Sequence, residues 1–238
     1  MNQKHPWPKD KIKCVVMCGG SGTRLLPLSF RKQKSMLELS NKPVLSLVID
    51  YWSNFSNDFI FVVKHKKEEV INYIKTLPLN IEFVEPKELR GIADGLFYAK
   101  DSVSDNFIVV LSDCLCRGKF FFPRQMRQGV GVWKTNDLNH IRNSYSIETN
   151  GKFLKKVIEK PKIIFNDLCG MGFYFLNKKV FDYIEKTPPS KLRNEVEITD
   201  VIQNMIDAQE KISPVFFEGD YLNINRQIDL KKAKQIFG

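Results

Sequence analysis

Residues 12–18, Ile-Lys-Cys-Val-Val-Met-Cys, run apolar and β-branched straight into Gly19-Gly20-Ser21-Gly22-Thr23-Arg24. A short apolar run of this kind reads as a buried strand, and the glycines that end it read as a tight turn. Glycine permits positive φ and a close approach of the backbone, so successive N–H groups can wrap the oxygens of a phosphate. Arg24 adds a group able to grip such oxygens in bidentate fashion. The spacing is neither that of a P-loop nor that of a dinucleotide-binding fingerprint, so neither P-loop hydrolysis nor nicotinamide binding follows from it.

The segments after this turn alternate. A helix over 41–56 carries Val44, Leu45, Leu47, Val48 and Tyr51 at helical spacing, with Pro43 in its first turn. An apolar strand follows over 59–63, a helix over 67–77 closed by Pro78, a strand over 81–84, a helix over 91–103 and a strand over 107–112 ending at Asp113. Three rounds of strand and helix predict an α/β fold, a Rossmann-like, mainly parallel mixed sheet with helices on both faces. Ligands of such sheets collect at the carboxyl ends of the strands, which puts Gly19 and Asp113 on one crevice. The second half predicts short strands over 129–134, 144–148, 153–158 and 170–176, with a turn at Asn150-Gly151 and antiparallel or mixed pairing. Helices over 178–186 and 197–209, a strand over 221–224 and a helix over 227–237 complete the chain. With no repeat and no linker, residues 1–238 read as one domain, a first half over about 12–125 and a substrate-binding second half over about 126–238.

The formal net charge is +10, and residues 1–42 hold nine basic residues (Lys4, Lys9, Lys11, Lys13, Arg24, Arg31, Lys32, Lys34 and Lys42) against Asp10 and Glu38. That imbalance calls for an anionic partner or a solvated basic face. Phe30 is the only aromatic residue between Lys11 and Lys42, so the interleaving that base stacking on nucleic acid needs is missing. No apolar run reaches membrane length and no secretory h-region is visible, so a cytoplasmic chain without membrane or nucleic-acid contact is expected. Five cysteines, mostly inside apolar runs, read as reduced core thiols.

The stretch from Gly19 to Leu45 resembles the N-terminal signature of the sugar-1-phosphate nucleotidyltransferases: Gly-Gly-x-Gly-Thr-Arg-Leu-x-Pro-Leu-Ser/Thr, a lysine ten residues after the arginine (Lys34), then Lys-Pro at a helix start (Lys42-Pro43). Gln33 stands where that family commonly has proline. The likeness continues through Leu111-Ser112-Asp113, Glu159-Lys160-Pro161, Gly170–Phe175 and Glu195–Asp200, and ends near Leu222-Asn223-Ile224-Asn225.

The resemblance implies joining of a nucleoside triphosphate to a sugar 1-phosphate with release of pyrophosphate. Arg24 and Lys34 would be catalytic. Cys18, Gly19, Gly20, Ser21, Gly22, Thr23, Glu85, Gly91 and Ser112 would bind the nucleotide, and Asp113, Glu159, Lys160, Gly172 and Glu195 the sugar phosphate. Asp113 and Asn223 would hold Mg²⁺, with Asn225 as the ligand in the other register and Asp220 as a fallback. Glu85 is acceptor-only when ionised and so would prefer guanine, then cytosine; a backbone amide near Gly91 is the competing reader of the base. A non-sugar acceptor such as phosphocholine, an inactive relative and a homo-oligomer stay open. Phe120-Phe121-Phe122 would pack under a loop, line the sugar pocket or make an oligomer contact. Trp7 would either dock on the domain or be disordered. The Cys114-x-Cys116 pair reads as core thiols, and Lys231, Lys232 and Lys234 as a solvated helix face.

Overall fold

The computed structural model describes residues 5–191 and 193–238, apart from the side chain of Arg31; Lys4 of the basic run lies outside the described residues. The strands are β1 (Lys13–Met17), β2 (Glu38–Leu39), β3 (Lys42–Pro43), β4 (Asp58–Val62), β5 (Asn80–Val84), β6 (Asn106–Leu111), β7 (Cys114–Phe121), β8 (Gln128–Lys134), β9 (Tyr145–Thr149), β10 (Leu154–Glu159), β11 (Leu168–Asn177) and β12 (Ile212–Asn223). The helices are α1 (Leu28–Arg31), α2 (Val44–Trp52), α3 (Lys67–Ile74), α4 (Ile92–Phe97), α5 (Leu138–Asn143), α6 (Val180–Lys186), α7 (Ile198–Asp207) and α8 (Gln227–Phe237).

One sheet runs β5-β4-β1-β6-β11-β8-β12-β7, with β9 pairing to β11 and β10 to β9. The first four strands are mutually parallel. Beyond β6 the ladder turns antiparallel, except that β12 runs parallel to β8. Side chains alternate across the sheet, so β1 sends Cys14 and Val16 to one face and Val15 and Met17 to the other. On the first face they meet Val44, Val48 and Trp52 of α2 and Val70 and Ile74 of α3; on the second, Leu96 of α4, Phe181 of α6 and Val201 and Met205 of α7. The apolar runs of β1, β4 and β6 follow from burial on both faces.

Several elements differ from the sequence expectation. The helices over 41–56, 67–77 and 91–103 are shorter, as Val44–Trp52, Lys67–Ile74 and Ile92–Phe97. β7 and α5 were not foreseen, and the last strand begins at Ile212 rather than 221. Phe120 and Phe122 pack beside Phe173 and Phe175 in the core, Phe120 also against Trp52. Trp7 docks, half-buried, on this same cluster. Cys114 is buried with its Sγ 3.4 Å from the Tyr221 hydroxyl, and all five cysteines are free thiols.

Candidate active site

The strand ends converge on an open cavity of about 590 Å³. At one end lies the glycine loop. Gly22 has φ +65°, a left-handed conformation, and starts the 3-10 turn that carries Arg24. A Cβ on Gly22 would lie 3.1 Å from that of Lys34, so loop and lysine are packed together. Lys34 ion-pairs with Asp113, and its Nζ lies 3.4 Å from the side-chain Oδ1 of Asn225. Asp113 is the second of the two residues between β6 and β7, and its carbonyl accepts from Ile224 N–H at 2.9 Å. That bond holds the end of β12, and with it Asn223, beside Asp113. The Asn223 side-chain oxygen is buried and accepts no hydrogen bond from the described residues.

At the other end lies a charged cluster. Arg193 donates from Nε to Glu197 Oε1 at 2.6 Å and also faces Glu159 at 3.5 Å and Glu195 at 3.7 Å. Thr199 donates to Glu159 at 3.2 Å. Burial, and then the neighbouring Glu197, push the Glu159 carboxyl up to about 7. Burial likewise raises Glu197 and lowers Lys160. Gly91 joins the two ends: with φ +113°, a Cβ there would sit 2.7 Å from the Val196 carbonyl oxygen, while Val196 N–H donates to Arg90 O at 2.6 Å.

Of the expected site residues, Gly19, Gly20, Ser21, Gly22, Thr23, Arg24, Lys34, Gly91, Ser112, Asp113, Glu159, Lys160, Gly172, Glu195 and Asn223 line this cavity. Cys18 does not. Its N–H goes to Val62 O at 2.8 Å, its carbonyl takes the Gln33 amide at 2.8 Å, and burial pushes its thiol up to about 12. Glu85 does not either: Lys67, 2.5 Å away, and Lys64, 3.9 Å away, hold it on the exposed rim, and the Lys67 hydrogen bond lowers its carboxyl. Asp220 is paired to Arg117 at 2.8 Å on the outer strands and lines no cavity wall. Arg193, Asn225, Tyr145, Tyr174, Lys64 and His65 also line the cavity and were not foreseen as site residues, Asn225 only as an alternative ligand. No short motif marks them, because the fold alone brings them there. Lys9 and Lys11 lie on an exposed turn away from the cavity, and Lys231, Lys232 and Lys234 are exposed on α8.

No group of three or more His, Cys, Asp or Glu side chains is placed to hold a metal ion among the described residues. The donor set is nevertheless that of a hard cation shared with a ligand: one carboxylate from Asp113 and an unpartnered amide oxygen from Asn223.

A cationic glycine loop thus stands at one end of the crevice and a carboxylate–guanidinium cluster at the other. The chain belongs to the nucleotidyl transferase family, whose model matches residues 13–223. The bifunctional protein GlmU of Methanocaldococcus jannaschii is 29% identical over 224 residues, 94% of this chain and 54% of that one. The chain thus spans about half the length of the GlmU relatives it matches. The UTP–glucose-1-phosphate uridylyltransferase AglF of Haloferax volcanii is 26% identical over 246 residues, covering 94% of this chain and 96% of that one. In fold, the chain is similar to the inositol-1-phosphate CTP transferase of T. maritima, with a TM-score of 0.82 at 19% identity over 96% of this chain and 95% of that one.

Proposed function

We propose that the chain transfers a nucleotidyl group from a nucleoside triphosphate to a sugar 1-phosphate and releases pyrophosphate. The observation that carries this reading is the two-ended cavity. Arg24 and Lys34 stand with the glycine loop at one end, and Lys160, Arg193 and Glu159 at the other. The name of one relative supports it, the UTP–glucose-1-phosphate uridylyltransferase AglF.

In this reading a phosphate oxygen of the acceptor attacks the α-phosphorus in line. The new phosphorus–oxygen bond forms as the bond to the β-phosphate breaks, and the electron pair leaves on pyrophosphate. No protein nucleophile takes part; catalysis is positioning and charge neutralisation. The N–H groups and side chains of residues 19–24 bind the triphosphate, Lys34 neutralises the charge that grows on the leaving group, and Lys160 and Arg193 hold the acceptor phosphate. Glu159 and Glu195 take hydroxyls of the acceptor. Mg²⁺ held by Asp113 and Asn223 would neutralise phosphate charge when bound. Residues 12–125 thus serve the nucleotide and 126–238 the acceptor, in a cytoplasmic chain whose thiols stay reduced.

Base choice no longer rests on Glu85, which Lys67 ties to the rim, so the lean to GTP and then CTP loses its carrier. The backbone around Leu89 and Gly91 lines the cavity and takes over that role in this proposal. The test is turnover with each of four triphosphates against glucose 1-phosphate, mannose 1-phosphate, inositol 1-phosphate and phosphocholine, read by pyrophosphate release. Release with a sugar 1-phosphate is expected. Release with phosphocholine or inositol 1-phosphate alone would overturn the acceptor assignment, and no release with any pair would favour an inactive relative.

A further inference from the structure

Gln33 is 2% exposed although it adjoins an open cavity. Its side chain and its main chain are fully engaged. The Nε2 amide donates to the Cys18 carbonyl at 2.8 Å, Oε1 accepts from the N–H and the hydroxyl of Ser35 at 2.5 Å each, and the Gln33 N–H donates to Glu69 Oε2 at 2.8 Å. These partners belong to three separate elements. Cys18 follows β1 and opens the glycine loop, Ser35 lies in the 3-10 turn over Lys34–Met36, and Glu69 is in the first turn of α3. Lys34 is the next residue. Its side chain crosses the cavity floor to Asp113, and its Cβ packs on Gly22.

We propose that Gln33 is a positioning residue that fixes the root of Lys34 against the base of the glycine loop. This rests on reading the cavity as a triphosphate site. A lysine side chain has four rotatable bonds, so the place of its ammonium depends on the place of its Cα. Most of what the loop and the lysine supply together depends on their mutual register, which no bond between the two themselves secures. The Gln33 amide supplies the cross-link: it holds the strand end with its donor and the lysine turn with its acceptor. The backbone at Gln33, φ −62° and ψ 143°, would also accept proline. Proline would keep the bend but supply neither amide group, and its nitrogen could not donate to Glu69. An apolar residue would leave the Cys18 carbonyl and the Ser35 N–H buried without partners.

The experiment is a double-mutant cycle on binding, read by calorimetry with the wild-type protein, Gln33→Ala, Lys34→Ala and the pair. The probes are the triphosphate that the wild-type protein binds most tightly and the matching monophosphate. Gln33→Ala is expected to weaken the triphosphate roughly 10- to 30-fold and the monophosphate less than about 2-fold. In the Lys34→Ala background the same change is expected to add nothing, because Gln33 acts through Lys34. Equal losses for both nucleotides, or losses that multiply in the double variant, would mean a merely structural glutamine and overturn the proposal. If Gln33→Ala does not fold, Gln33→Glu, of the same shape but without the Nε2 donor, is read in the same cycle against the same outcomes. If the wild-type protein binds none of the four triphosphates, the site reading falls and this inference falls with it; wild-type binding with additive losses removes Gln33 alone.

Discussion

Arg193 is shared by three carboxylates, with Lys160 also 3.8 Å from Glu159, and its removal has a cost that depends on pH. Glu197 is 3% exposed and Glu159 17% exposed, against 27% for Arg193 itself. Breaking a buried pair by deleting one partner costs about 3–5 kcal/mol, and the partial exposure of Arg193 places Arg193→Met near the lower end, about 3 kcal/mol at pH 8. For a chain of 238 residues each kcal/mol moves the melting temperature by about 2–4 °C, so a fall of about 6–12 °C is expected. Acid should relieve it. Glu159 and Glu197 already have raised carboxyl pKa values in the folded state, and without Arg193 they rise further. A raised carboxyl stabilises the fold below its unfolded value and loses that contribution as pH climbs through the folded value. The variant therefore carries more of its cost at high pH. At pH 5, where Glu159 keeps its proton, the gap should shrink to about 1 kcal/mol. Thermal melts of both proteins at pH 5, 6.5 and 8, followed by circular dichroism, measure the gap directly. A drop in melting temperature equal at pH 5 and pH 8 would refute the electrostatic account and leave only lost packing.

Glu159→Gln should remove the part of the wild-type stability decline that runs from about pH 4.5 to about 7, seen as a flatter plot of melting temperature against pH; an unchanged slope would exclude Glu159 as its source. Asp113→Ala should cut Mg²⁺-dependent pyrophosphate release by on the order of 100- to 1000-fold, and full activity would remove Asp113 from the mechanism. Gly91→Ala forces a side chain into φ +113° and against the Val196 carbonyl, so a loss of about 2–3 kcal/mol is expected in urea unfolding. A loss below about 0.5 kcal/mol would show that the 89–91 loop moves freely.

The legible parts of the sequence were those where the local pattern and the tertiary role agree. β1, β4 and β6 are continuous apolar runs because they are buried on both faces. β7 was hidden by Arg117-Gly118-Lys119, three exposed residues in the middle of an outer strand. The first half of β12 was hidden by Pro214, which breaks most strand patterns. It is tolerated because the ladder to β7 begins only at Phe216, so Pro214 is paired on one side, to β8. In the site, the glycine loop, Lys34 and Glu159-Lys160 were readable as contiguous motifs. Arg193 was not, since its role depends on the approach of the loop after α6 to β10. The misplacement of Glu85 has an equally local cause: the residue type suited a base edge, but two lysines compete for it from α3 and from the end of β4.

The placement of β12 between β8 and β7 has a consequence for the order in which the molecule is assembled. Residues 212–223 are needed to join two strands that end at Phe121 and Lys134, far earlier in the chain. Until then β8 presents one unpaired edge and β7 has no partner in the sheet. Contacts of such sequence separation form slowly, since the intervening chain must be ordered before they stabilise anything. Asn223 and Asn225 arrive with that strand, so the site beside Asp113 is among the last places to be completed. A nucleotide that requires both faces of the crevice would therefore report on the finished fold and not on a partly zipped sheet.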